Sequence, residues 1–290
     1  MTAANFTLTL ELDSGAEAEI VVTPQDAPSR EEGITAWVVD IEGYRGADWK
    51  PRLLDLFCCQ GGAAMGYSRA GFDVVGVDIA PQPRYPFEFH QGDALEYLAA
   101  HGHEFDAIHA SPPCQAFTAL KVMYNAKPHP DLLTPTRAAL IALGKPYVIE
   151  NVEGAPMVNY VTLCGTAFGL GTDAMELRRH RRFEVSPPFL MVPPCAHGLK
   201  PVIGIYGGHW RDRRENAPVK NLPLSEAVIA MGIDWMSGHG LSQAIPPAYT
   251  EFIGRHLRAA LAGTRLSLTA AERDRAYAAA LAVLAGSGAE

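Results

Sequence analysis

Leu53-Leu54-Asp55-Leu56-Phe57-Cys58-Cys59-Gln60-Gly61-Gly62-Ala63-Ala64-Met65-Gly66 runs from an apolar strand pattern through a glycine-rich turn into a small-residue helix pattern. A strand feeding a helix through such a turn is the opening unit of a doubly wound α/β sheet, and its glycines let backbone approach a nucleotide-like ligand. Outward from it the rhythm repeats. Val74–Asp78 reads as the next strand, Ala94–Ala100 as a helix and Phe105–Ala110 as a strand. Thr136–Leu143 then reads as a helix and Tyr147–Glu150 as a strand. The alternation predicts an α/β fold, Rossmann-like, with a mostly parallel sheet and helices on both faces.

The flanks depart from this rhythm. Residues 1–50 alternate with period two at Phe6–Leu12, with further strand patterns at Glu19–Val22 and Trp37–Ile41, and read as a β-rich appendage. Residues 51–186 carry the α/β pattern. Residues 187–221, with two proline pairs at 187–188 and 193–194, read as a small inserted module. Residues 222–263 read as a return to the main domain. At 264–290, Thr269-Ala270-Ala271-Glu272 is a capping box for a last helix that stops at Gly286.

Composition is that of an ordinary globule: 290 residues, 48% hydrophobic, mean hydropathy +0.01. No apolar run is long enough to span a bilayer, and Met1-Thr2-Ala3-Ala4-Asn5 lacks the start of a signal peptide. Five cysteines, an odd number without metal-ligand spacing, point to a reducing cytoplasm. The net charge of −8 is unevenly spread: between Arg178 and Lys220 nine Lys/Arg face three acids, so that stretch is +6 and the remainder −14. A basic stripe on an acidic body fits a focused contact with a polyanion, or a solvated charged face.

Ser111-Pro112-Pro113-Cys114-Gln115 follows a strand end, where open α/β sheets place their chemistry, and its prolines stiffen the approach of one thiol. Glu150-Asn151-Val152 follows another strand, so Cys114 and Glu150 are expected on one rim. A thiolate that adds to carbon and an acid that serves a ring nitrogen suit attack on an electron-poor ring. Taken singly, Cys114 reads equally as a small buried hydrophobe and Glu150 as an ion-pair partner. Asp78, at the end of the second strand, is placed to accept ribose hydroxyls, and Asp93 either caps a helix or accepts from an adenine amino group. The turn lacks the glycine spacing of the dinucleotide fingerprint, with Cys59 at its first place. In Arg178-Arg179-His180-Arg181-Arg182-Phe183, Arg179 and Arg181 would share a face if the run enters a strand. Cys195-x-His197 is a ligand pair, but two ligands do not make a zinc site, and no metal is expected.

In this order the pieces resemble the DNA cytosine-5 methyltransferase family over roughly residues 52–258. The resemblance rests on Asp55, Phe57, Gly61 and Gly62, on Pro113-Cys114-Gln115, on Glu150-Asn151-Val152 and on Arg179 and Arg181. It extends to Leu224–Gly232 and Gln243–Pro247. Cys59, Leu177 and Gln243 stand where the family has glycine, glutamine and asparagine. The resemblance implies S-adenosylmethionine as cofactor, held by Asp55, Phe57, Gly61, Gly62, Asp78, Asp93, Pro113 and Gln243. It implies a flipped cytosine attacked at C6 by Cys114, with Glu150, Arg179 and Arg181 around the base. Double-stranded DNA is the implied partner, met by Gln115, Lys121, Asn151, His209, Arg211, Arg213 and Arg214, with 187–221 as the target-recognition module. RNA as substrate and a catalytically weak nucleic-acid-binding relative stand as alternatives. A companion restriction nuclease and an orphan enzyme are both left open.

Overall fold

A computed structural model describes residues 6–11, 17–22, 39–42, 50–117, 130–188, 192–207, 209–214 and 221–261. The chain divides into two units, Met1–Trp49 with Ala259–Glu290, and Lys50–Arg258. The first carries β1 (Phe6–Glu11), β2 (Glu17–Val22) and β3 (Val39–Glu42). They form an antiparallel sheet in that order, Phe6 opposite Val22 and Val22 opposite Val39. The helix expected at 264–290 lies outside the described residues.

The second unit opens with β4 (Arg52–Leu56), α1 (Gly62–Arg69), β5 (Asp73–Asp78), β6 (Glu88–Gln91) and α2 (Ala94–His101). It continues with β7 (Ala107–Ala110), α3 (Leu133–Leu143), β8 (Tyr147–Asn151), β9 (Tyr160–Leu163) and β10 (Arg181–Ser186). A hairpin of β11 (Ile203–Tyr206) and β12 (His209–Asp212) follows, then α4 (Leu224–Met231), α5 (Gly238–Gln243) and α6 (Pro247–Leu261). Seven strands form one sheet in the order β6-β5-β4-β7-β8-β10-β9. The pairs from β6 to β8 are parallel, while β10 runs antiparallel to both β8 and β9.

Strand parity divides the labour between the two faces. Leu54, Leu56, Val75, Val77, Ile108, Ala110 and Ile149 pack in one buried cluster with Ala94 and Leu98 of α2 and Leu133 and Leu140 of α3. The alternate positions carry the polar groups: Asp55 stands opposite Gly76 on one side and His109 on the other. On that face α1 and α6 pack closely, for Thr250 donates to the Ala63 carbonyl at 2.8 Å. Helix ends follow local chemistry. Asp131 accepts from the Leu133 and Thr134 amides, which starts α3 three residues before the expected Thr136. Gly144, at φ 70°, ends it.

Candidate active site

The C-terminal ends of β4, β5, β7 and β8 open on one cleft of about 1500 Å³, lined among others by Phe57, Asp78, Cys114, Glu150 and Gln243. This is the rim where parallel strands deliver functional groups. Phe57 and Cys59 both take left-handed backbone, φ 58° and 45°. Cys59 thus adopts a conformation natural to glycine, and its amide donates to Asp78 Oδ2 at 2.9 Å. Asp78 Oδ1 accepts from the Ala80 amide at 3.0 Å, so this carboxylate organises the turn as well as facing the cleft. Gly62 is there for space: a Cβ would lie 2.5 Å from the Ile245 carbonyl oxygen. Gln60 latches the turn to a distant segment. Its Oε1 accepts from the Ser237 amide at 2.8 Å, and its carbonyl accepts from Trp235 Nε1 at 2.9 Å.

Asp55 is 1% exposed. Tyr85 donates to its Oδ2 at 3.5 Å, and Oδ1 has no partner among the described residues. Burial pushes this carboxyl well above the carboxylate range, with the Asp78 charge adding to the effect. An orphaned buried oxygen on the wall of a cleft fits a donor or cationic group on a bound ligand.

The cysteine loop is pinned at both ends. Ser111 donates its amide to the Leu56 carbonyl at 3.2 Å, and Asn151 Nδ2 donates to the Pro112 carbonyl at 3.0 Å. Cys114 itself is half-buried and lines the cleft, with Pro113 and the exposed Gln115 beside it. Burial raises its thiol pKa and the Glu150 charge adds to that, while Arg181 opposes both. Glu150 is 7% exposed and meets Arg181 Nε at 3.0 Å. Burial raises the Glu150 pKa more than Arg181, Arg179 and a hydrogen bond from Ser111 lower it.

Behind Glu150 runs a chain the sequence did not reveal. Tyr67 Oη lies 2.9 Å from His109 Nδ1, and His109 Nε2 lies 2.9 Å from Ser111 Oγ. Burial lowers the His109 pKa to about 3, so the ring is neutral. The tautomer that satisfies every group has Tyr67 donating to Nδ1 and Nε2–H donating to Ser111, which leaves the Ser111 hydroxyl to donate to Glu150.

Several expected site residues do other work. Arg179 is 2% exposed, and its guanidinium donates to the Ile205, Ser242 and Ala244 carbonyls at 2.6–3.1 Å. It precedes β10 and clamps two backbone segments, β11 and the end of α5, whereas Arg181, two residues on, reaches Glu150. Asn151 is 1% exposed, its Nδ2 donates to the Pro112 carbonyl and its Oδ1 accepts from the Val152 amide, so it pins the cysteine loop. Asp93 caps α2, accepting from the Leu95 and Glu96 amides at 2.8 and 3.0 Å, at the edge of the same cleft. Lys121 lies outside the described residues.

The hairpin sorts the basic residues by parity. Ile203 and Ile205 are buried against Ala227, Ala230 and Met231 of α4 and Leu241 of α5. Tyr206 and His209 pair across the strands, as do Gly204 and Arg211, which puts them on the opposite face. His209, Arg211 and Arg213 are exposed. Arg214 has the other parity and forks onto the buried Asp212 at 2.5–3.1 Å, so its charge is already partnered.

No protein-family model matches the chain, and no curated protein matches it. Solved structures do. The S. pombe Dnmt2 methyltransferase aligns at 13% identity and TM-score 0.50, over 73% of this chain and 99% of that one. The Entamoeba histolytica methyltransferase EhMeth aligns at 12% identity and TM-score 0.49, over the same shares, 73% and 99%. A prophage-encoded E. coli protein described as a DNA modification methyltransferase aligns at 15% identity and TM-score 0.48, over 72% and 99%. The seven-stranded, mostly parallel sheet with its antiparallel β10 and β9 thus has the α/β fold of the S. pombe Dnmt2 methyltransferase structure.

Proposed function

We propose that this protein is a member of the DNA cytosine-5 methyltransferase family and methylates C5 of a cytosine flipped out of duplex DNA. The reading is carried by one observation: Cys114 and the buried Glu150–Arg181 pair line a single cleft with the glycine-rich turn. S-adenosylmethionine fits the residues present, with the left-handed turn at 57–61, Asp78, and the unpartnered Asp55 Oδ1 available to a donor or cationic group. When bound it supplies an electrophilic methyl group to C5.

Every other step falls to the chain. The Cys114 thiolate bonds to C6, and the electrons of the C5–C6 double bond move toward C5 and the ring. Glu150, raised by burial, holds or delivers a proton at N3, and Arg181 fixes the Glu150 carboxylate and faces the base. A protonated Glu150 also removes the negative charge that disfavours the Cys114 thiolate. Ser111, backed by His109 and Tyr67, keeps Glu150 in one orientation. The C5 proton then passes to solvent, its electron pair restores the C5–C6 double bond as Cys114 leaves as thiolate, and Glu150 takes back any proton given to N3, leaving 5-methylcytosine.

A duplex carrying 5-fluorocytosine tests this directly, because the missing C5 proton blocks the last step. With S-adenosylmethionine the expected result is a covalent protein–DNA adduct, seen as a mass increase and mapped to Cys114. Adduct formation with RNA and none with any DNA would transfer the activity to RNA, and no adduct with either would sink the covalent route.

The DNA contact is assigned to the outer face of the hairpin. Removing both cations as Arg211→Ala with Arg213→Ala is expected to weaken DNA binding and to reduce the magnitude of the log K against log salt slope by about 2. A slope equal to wild type in a fluorescence-anisotropy titration would place the phosphate contacts elsewhere.

A further inference from the structure

Cys195 and His197 look like an isolated pair in the sequence, but the fold brings Cys164 and His180 to them. The four candidate ligand atoms, two sulfurs and two ring nitrogens, all lie within 4.8 Å of one another. Cys164 Sγ is 3.3 Å from His197 Nε2, and Cys195 Sγ is 3.4 Å from His180 Nε2. A tetrahedral Zn²⁺, at about 2.3 Å from sulfur and 2.0–2.1 Å from nitrogen, holds its ligand atoms roughly 3.3–3.8 Å apart. The four side chains therefore need a contraction of no more than about 1–1.5 Å at the widest separation. We propose that Cys164, His180, Cys195 and His197 form a structural Zn²⁺ site.

The donor set defines the metal and its role. Two thiolates and two imidazoles suit zinc rather than magnesium or calcium, and four protein ligands leave no open position for catalysis. Binding replaces the two thiol protons, which pass to solvent, including the one Cys164 shares with the Arg178 carbonyl at 3.1 Å. The two thiolates cancel the charge of the ion, so the site adds no net positive charge beside Arg178, Arg179 and Arg181. Thr166 supports the arrangement on both sides. Its Oγ1 lies 3.1 Å from Cys164 Sγ and accepts from the Ala196 amide at 3.2 Å.

The placement gives the ion a structural consequence. Cys164 directly follows β9, His180 directly precedes β10, and Cys195 and His197 lie on the stretch leading into the β11–β12 hairpin. One ion would fasten the approach to that hairpin onto the edge of the main sheet. It would also fix the backbone at His180, whose carbonyl accepts from Arg181 Nη1 at 2.9 Å while Arg181 holds Glu150.

The test uses the full chain, expressed in zinc-supplemented medium and purified without chelator. Plasma emission should find one zinc per chain. Cys195→Ser and His197→Gln, both at exposed side chains, should each lower that content several-fold while circular dichroism stays that of the folded protein. Cys114→Ala should leave it unchanged. Exchange into Co²⁺ should give the intense visible bands of a tetrahedral ion with a thiolate charge-transfer band, lost in the two variants. Wild-type protein with negligible zinc and no tight Co²⁺ uptake would overturn the site. So would a Cys164–Cys195 disulfide in the non-reduced protein by mass, or full metal content in both variants.

Discussion

Cys114→Ala is expected to abolish methyl transfer, with a fall of at least about 10⁴-fold, the scale seen when an enzyme loses its nucleophile. DNA binding should survive, because the cations assigned to it stand on the hairpin and Cys114 contributes none of the pinning contacts of its own loop through its side chain. The loop keeps its shape through Asn151 and Ser111, so the variant should unfold at the wild-type midpoint. The adduct with 5-fluorocytosine should disappear completely. Methylation that persists in Cys114→Ala, measured by transfer of a labelled methyl group, would remove the thiol from the reaction. Lost binding together with lost turnover would instead give Cys114 a part in seating the base.

Arg179→Ala should act on stability first. The guanidinium serves three buried carbonyls, on Ile205, Ser242 and Ala244, and alanine would leave all three without a donor. A loss of about 3–5 kcal/mol is expected, since each orphaned buried acceptor costs about 1–3 kcal/mol and relaxation recovers part of it. Urea unfolding reads this as a lower midpoint. Arg179→Lys should fall between, because an ammonium lacks the planar fork that reaches three carbonyls on two segments at once. Wild-type stability in Arg179→Ala with turnover lost would return Arg179 to the reacting base, as its spacing from Arg181 first suggests.

The sequence reveals the parallel core because buried central strands are continuous apolar runs, and β4, β5, β7 and β8 all read that way. It hides β6, whose Glu88-Phe89-His90-Gln91 is an edge strand with exposed side chains. The antiparallel pair β9 and β10 escapes for another reason: neither is separated from β8 by the helix that marks a parallel crossover. Within the cleft, the common rim of Cys114 and Glu150 is legible because both follow the C-terminal ends of parallel strands. The roles of Arg179, Arg181 and Arg214 are not, because parity and strand entry decide which guanidinium meets an acid, a carbonyl or solvent. The Cys164 and His180 contribution is hidden for the same reason as Ser111 behind Glu150: the partners come from different strands, and sheet order brings them together.

The hairpin that carries Arg211 and Arg213 has no core of its own. Ile203 and Ile205 share theirs with α4 and α5, and α5 ends at Gln243 on the cleft that holds Cys114. On the proposed function, recognition and catalysis would thus be cast as one piece rather than assembled from exchangeable parts. A transplant of target preference between relatives of this fold would have to carry the stretch from about Cys195 to Ala244 as a single cassette. Grafting the hairpin alone would expose the apolar faces of both helices and disturb the cleft it was meant to serve.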